Sequence, residues 1–161
     1  LVSSLDITRT ILDYAGVTAP EFMTGRSLRP LVQGQKLKWR QDLFLESLYT
    51  GRDTPFQEGV RSGKWKYIRM YDGVGKYAEK DVDFVGRKPE FEMLFDLEKD
   101  PGEMNNLAAA HATRNSKILV SLRKKTAAHS NAANKERQRF VAEVAVAKGR
   151  GPKKTKSKTK K

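Results

Sequence analysis

Apolar positions in "SSLDITRTILDYAGV" recur at helical spacing, with Leu5, Thr8, Ile11, Leu12 and Ala15 on one stripe that must bury against something. Ser4 suits the N-cap, Asp6 sits favourably in the first turn, and Gly16 suits the left-handed position after the last turn. "TAPEFMTGRSLRPLVQGQ" then alternates Pro and Gly with short apolar pairs, which reads as an ordered connecting loop. From "WRQDLFLESLY" the period changes to two and a strand is expected. "FQEGVRSGKWKYIRMYD" reads as a hairpin turning at Ser62-Gly63, with Trp65, Tyr67, Arg69 and Tyr71 on one face and Lys66, Ile68 and Met70 on the other. After the polar excursion "GVGKYAEKDVDFVGRKPE", "FEMLFDL" is a further strand with Phe91, Met93, Phe95 and Leu97 on one face. Consecutive strands joined by turns predict an antiparallel meander. "SKILVSLRKKTAA" places Ile118, Leu119 and Leu122 on one helical face. A second, charged helical stretch, "NKERQRFVAEVAVAK", groups Phe140, Val141 and Val144 and reads as an exposed appendage. The fold class is therefore α+β, a small antiparallel sheet packed with helices.

Charge changes the picture only at the end of the chain. The formal charge is +13, but "KGRGPKKTKSKTKK" from Lys148 onward holds eight Lys or Arg and no acid, leaving +5 for the first 147 residues. That tail has almost no apolar residues and is expected to be disordered. The 161 residues hold no cysteine, which excludes disulfides, zinc-thiolate sites and thiol catalysis. No apolar run approaches the roughly 20 residues that span a bilayer. No charged n-region opens the chain, the first Met is Met23, and the helical pattern is already under way at the start. A piece of something longer is the expectation.

Candidate chemistry is sparse. "LFDLEKDPGEMNNLA" gathers Asp96, Glu98, Asp100 and Glu103 and could be a metal-binding loop, an acidic recognition patch or a well-made corner. No suitably placed Gly or terminal Glu completes an EF-hand pattern. Pro101-Gly102 suits a turn, and Asn105 or Asn106 suits the N-cap of a following helix, which favours the corner. His111 and His129, the two histidines, lack a second ligand or an acid at catalytic spacing. No P-loop, G-x-G-x-x-G, G-x-S-x-G or S-x-x-K is present. "RSGKWKYIRMY" interleaves bases with aromatics. It suits a stacking platform for single-stranded nucleic acid, a pocket for sulfated or phosphorylated sugars, or a sheet with an aromatic face packed on a helix. Arg61, Lys64 and Trp65 near the hairpin turn are the candidate ligand contacts.

Taken in order, "SLDITRTILDYAGV", "MTGRSLRPLVQGQ", "WRQDLFLES", "GVRSGKWKYIRMYD" and "LFDLEKDPGEMNNLA" resemble the C-terminal end of the sulfatase family, in the branch whose C-terminal domain is named after N-sulfoglucosamine sulfohydrolase. The resemblance covers about residues 2 to 125. The family often has Pro where this chain has Arg9, and the stretch from Asn131 onward has no counterpart. The resemblance implies the C-terminal subdomain of an alkaline-phosphatase-like hydrolase of sulfate esters or sulfamates, with sulfated carbohydrate as the expected substrate. In such enzymes a formylglycine made from a C/S-x-P-x-R motif attacks sulfur beside a calcium ion. Neither cofactor can be carried onto a residue of this chain; both are expected in the full-length enzyme, upstream of Leu1.

The resemblance also implies an arrangement. Residues 1–38 would end the catalytic domain and 39–128 form the C-terminal sheet and helix, while the residue pattern itself makes 129–148 a helical appendage and 149–161 the disordered Lys-rich tail. The partner would be the upstream catalytic domain, on which Ile11 and Leu12 would pack, so apolar surface should be open in this chain. A periplasmic, extracellular or lysosomal location is what the family implies, and the tail could bind polyanions non-specifically. The alternative reading is a small basic nucleic-acid-binding protein using the tail and the aromatic-basic hairpin, with binding that weakens steeply with salt.

Overall fold

A computed structural model describes residues 1–47, 55–71, 84–110 and 116–147; His111 and the Lys-rich tail lie outside the described residues. The first helix, α1, spans Ser4–Tyr14 and is capped one residue earlier than its sequence suggests. Ser3, not Ser4, is extended at the N-cap. Its hydroxyl accepts from the Leu5 amide (3.3 Å), while its own amide donates to Asp6 (2.7 Å), closing a capping box. The reason lies in Asp6, which is fully buried and so holds the cap inward. Gly16 takes a φ of +68° past the last turn, as expected. The loop that follows contains one short helix, α2 (Arg29–Val32), entered through Pro30.

Strands β1 (Asp42–Ser47), β2 (Phe56–Ser62), β3 (Trp65–Tyr71) and β4 (Phe91–Asp96) form a four-stranded antiparallel meander in the order β1-β2-β3-β4. The β2–β3 hairpin turns at Gly63-Lys64, one residue later than expected, because Gly63 supplies the positive φ (+57°) at the first central position. Alternation therefore places Phe44, Val60, Tyr67 and Leu94 on an inner face and Leu45, Gly59, Ile68 and Met93 on an outer one.

The inner face is covered by α3, a helix running from Lys117 through Ala147 without a break, so the two helical stretches of the sequence are one element. Leu119 and Leu122 bury against Val60, Tyr67 and Leu94, with Trp65, Leu107, Ala108 and Ile118 around them. Leu94 carries β4 into this core, and Phe91, Met93 and Phe95 share the opposite face, as their alternation predicts. That row faces outward, because Glu92 shares the Leu94 side and is held there by Arg123 of α3. A smaller cluster stacks Tyr71 on Phe84 (4.3 Å between ring centroids) beside Phe56.

Beyond Leu122 the inward stripe of α3 turns polar, with Thr126, Ser130 and Asn134 buried. Ion pairs hold it instead: Arg123 to Glu92 on β4 (2.5 Å), Lys125 to Asp42 on β1 (2.7 Å) and Arg137 to Glu46 on β1 (2.8 Å). The helix thus stays seated past residue 129 as far as Arg137, and only then do Phe140 and Val146 stand largely in water.

Candidate functional site

The three hairpin candidates go to different places. Arg61 lies on the outer face of β2, exposed, opposite Leu43 and Lys66. Lys64 occupies the turn, where its ammonium meets Asp96 (2.9 Å) and Glu98 (3.6 Å) and lies 5.1 Å from the centre of the Trp65 ring. The Asp96 hydrogen bond raises the Lys64 pKa above its ordinary value and in turn lowers that of Asp96. Trp65 is on the inner face, packed against the Tyr67–Leu119 core. The fold therefore brings Lys64 and Trp65 together but turns Arg61 to the other side of the sheet.

The acidic corner is accounted for bond by bond. Asp96 accepts the Glu98 amide (3.2 Å) and Lys64. Asp100 accepts the amides of Met104 (3.0 Å) and Asn105 (2.8 Å) through its two oxygens. Glu103, the one non-glycine described residue with positive φ (+55°), pairs with Lys66 (2.6 Å). Asn106 accepts from Leu94 (3.1 Å) and Ala108 (3.0 Å) and donates to the Glu92 carbonyl (3.0 Å), capping the single 3-10 turn Leu107–Ala109. These acids and amides satisfy backbone groups and lysines at a bend. Among the described residues no three His, Asp or Glu gather as a metal cage. The chain contains no C/S-x-P-x-R.

Two buried clusters escaped the sequence reading. Glu58 and Arg69, opposite each other on β2 and β3, form a buried pair (2.5 Å), and Tyr71 donates to the same Glu58 oxygen (3.0 Å). Burial, then the Glu58 charge, push the Tyr71 hydroxyl well above its ordinary pKa. The signal was present: a turn centred on Gly63-Lys64 pairs residue 58 with 69. Tyr67 donates to Glu92, whose carboxyl Arg123 holds below the usual carboxylate range against the cost of burial. His129 stacks on Phe44 (5.6 Å, planes 16° apart) and meets no acid at hydrogen-bond distance among the described residues. A half-open depression of about 150 Å³ lies over Gly59 between Leu45 and Ile68, with Arg61 and Lys66 at its edge.

The N-sulphoglucosamine sulphohydrolase C-terminal family matches residues 1–132. The chain belongs to the sulfatase family. This sulfatase chain is 30% identical over 122 residues to a Delta 4,5-hexuronate-2-O-sulfatase of Bacteroides thetaiotaomicron, covering 74% of the chain and 22% of that protein. It is 34% identical over 109 residues to the choline-sulfatase of Rhizobium meliloti, covering 66% and 17%. Against arylsulfatase K of Bos taurus it is 30% identical over 129 residues, covering 76% and 21%. A solved 2-O GAG sulfatase superposes with a TM-score of 0.60 at 28% identity, over 84% of this chain and 26% of that one. The sulfatase chain thus spans about a fifth of the length of the curated relatives it matches. Its four-stranded sheet with a covering helix is the C-terminal part of the alkaline-phosphatase-like fold.

Proposed function

We propose that the chain is the C-terminal supporting part of a sulfatase that hydrolyses sulfuric esters or sulfamates of sulfated carbohydrates. The carrying observation is the family match over residues 1–132, set beside a share of only about a fifth of each curated relative's length. Relatives whose names specify hexuronate 2-O-sulfate and N-acetylglucosamine 6-O-sulfate support the carbohydrate class. Formylglycine and calcium would belong to the upstream catalytic part, where they supply the nucleophile and the charge stabilisation for S–O or S–N cleavage. The role of this chain is to complete the fold and shape the substrate rim.

The open apolar side chains of α1 fit that role, since Leu5, Ile7 and Ile11 are 56–61% exposed and Leu12 is half-buried. An upstream domain covering them would gain roughly 1.5 to 3 kcal/mol for each side chain fully withdrawn from water. Residues 1–38 would belong with that domain, and 39–128 with the helix-covered sheet. Among the three hairpin candidates, Arg61 carries the rim role best, because its guanidinium is exposed and Lys64 is committed to Asp96 and Glu98. Lys64 and Trp65 would hold the hairpin tip in place, and the tail would add non-specific attraction for polyanions.

The test compares the purified 161-residue chain with the protein expressed together with its preceding sequence. Sulfate release from an aryl sulfate and from a sulfated disaccharide is expected from the longer protein alone. Turnover by the short chain would refute the supporting role. In the longer protein, Arg61→Ala should raise KM for the sulfated saccharide several-fold and leave the small aryl sulfate unaffected.

A further inference from the structure

The outer face of the sheet is too apolar for a face meant for water. An antiparallel sheet solvated on one side alternates apolar-in with polar-out, yet here apolar side chains also cluster on the side away from α3. Leu43, Leu45, Ile68, Met70, Phe91 and Met93 all lie on the side away from α3, with the bare backbone of Gly59 among them. Phe91 and Leu45 are about half exposed, at 51% and 52%. Of the bases on this side, Lys66 is already neutralised by Glu103. A contiguous patch of this kind marks a contact surface.

We propose that this face, separate from the open apolar side chains of α1, is an internal interface on which the preceding catalytic part of the protein packs. The assignment rests on the sulfatase reading. The chain accounts for only 17–22% of the curated relatives' length, so a much larger body of protein is available as occupant. The depression over Gly59 has the volume that accepts a benzene-sized group in an engineered core, which suits one large apolar side chain of the partner. Its floor is backbone: a Cβ on Gly59 would lie 2.4 Å from the Tyr67 carbonyl oxygen, so a side chain there would push β2 from β3. A sulfated saccharide is the poorer occupant, because one exposed guanidinium beside aliphatic side chains offers little to several sulfates. Arg61, at the edge of the patch, would then stand at the seam where catalytic part and sheet meet, which agrees with its rim role.

The first measurement needs no mutation. Met70 and Met93 of the short chain and of the longer protein are oxidised with dilute peroxide and followed by peptide mass spectrometry. At least tenfold slower oxidation of both in the longer protein is expected, and equal rates overturn the proposal. The second uses Ile68→Lys and Phe91→Lys. In the longer protein each should lower the denaturation midpoint, while in the short chain they should leave it unchanged and reduce aggregation. Unchanged midpoints in the longer protein overturn the interface. A short chain that sediments as a dimer dispersed by both substitutions, with Met70 and Met93 still oxidised rapidly in the longer protein, would reassign the face to a second copy and overturn it too. Sulfate release is scored separately. Protection without turnover would sink the activity reading and leave the interface standing; turnover without protection would do the reverse.

Discussion

Replacing Asp6 by Asn tests how the first forty residues are held. The Asp6 carboxylate is fully buried and receives four donors: the amides of Ser3 (2.7 Å) and Arg26 (2.8 Å) and two guanidinium nitrogens of Arg40 (2.5 and 2.6 Å). It thereby joins the cap of α1, the loop before α2 and the entry to β1. The Arg40 bidentate hydrogen bond lowers its pKa from 3.8 to about 2, with the two amides helping against the cost of burial. That depression corresponds to about 2 kcal/mol of stability. The amide side chain of Asp6→Asn would keep the shape but leave a guanidinium that is only 14% exposed without a counter-charge, and breaking such pairs costs about 3–5 kcal/mol. We expect Asp6→Asn to lose about 3 kcal/mol in urea denaturation and to speed amide exchange at Arg26 and Ser3 more than at the core strands. Because the folded carboxyl titrates below the unfolded one, its contribution is complete above about pH 4 and is lost as pH falls through about 2. An Asp6→Asn/Arg40→Gln pair should recover part of the loss. If Asp6→Asn cost under about 1 kcal/mol and Arg26 exchange did not change, the anchoring argument would be wrong.

Other expectations follow from single contacts. Glu58→Gln should cost about 3 kcal/mol by leaving Arg69 unpaired, whereas Glu58→Leu with Arg69→Met should recover most of it in thermal denaturation. Gly59→Ala should cost about 1–3 kcal/mol, since the new methyl meets the Tyr67 carbonyl oxygen; an unchanged midpoint would mean that β2 and β3 separate freely. Asn106→Ala leaves the Leu94 amide and the Glu92 carbonyl without their partner, so a loss of about 2 kcal/mol is expected in urea denaturation. Asn106→Asp keeps the acceptor and should lose less.

Sulfatase membership was legible because five ordinary segments stand in a particular order, although none is diagnostic alone. The candidate site was less so. Arg61, Lys64 and Trp65 are neighbours in sequence, but a strand sends adjacent side chains to opposite faces and a turn interrupts the alternation. A hairpin placed one residue early also hides the Glu58–Arg69 pair, since each one-residue shift of the turn moves the opposing partner by two.

What the sequence determined by itself was local. Period-two and helical runs marked the strands and helices, Gly16 and Gly63 marked left-handed backbone, and Asp100, Gly102 and Asn106 marked the bend, because these signals act within a few residues through sterics and hydrogen bonding. The tertiary structure alone decided what each face meets. Leu94, not the Phe91–Met93–Phe95 row, faces the helix, and Arg123 holds Glu92 on that same side. A polar α3 stayed seated as far as Arg137 because Asp42 and Glu46, 83 and 91 residues away in sequence, supply its counter-charges. Asp6 became a buried anchor because Arg40 folds back over it. Such pairings depend on charges and side chains far apart in the chain, and no local period encodes them.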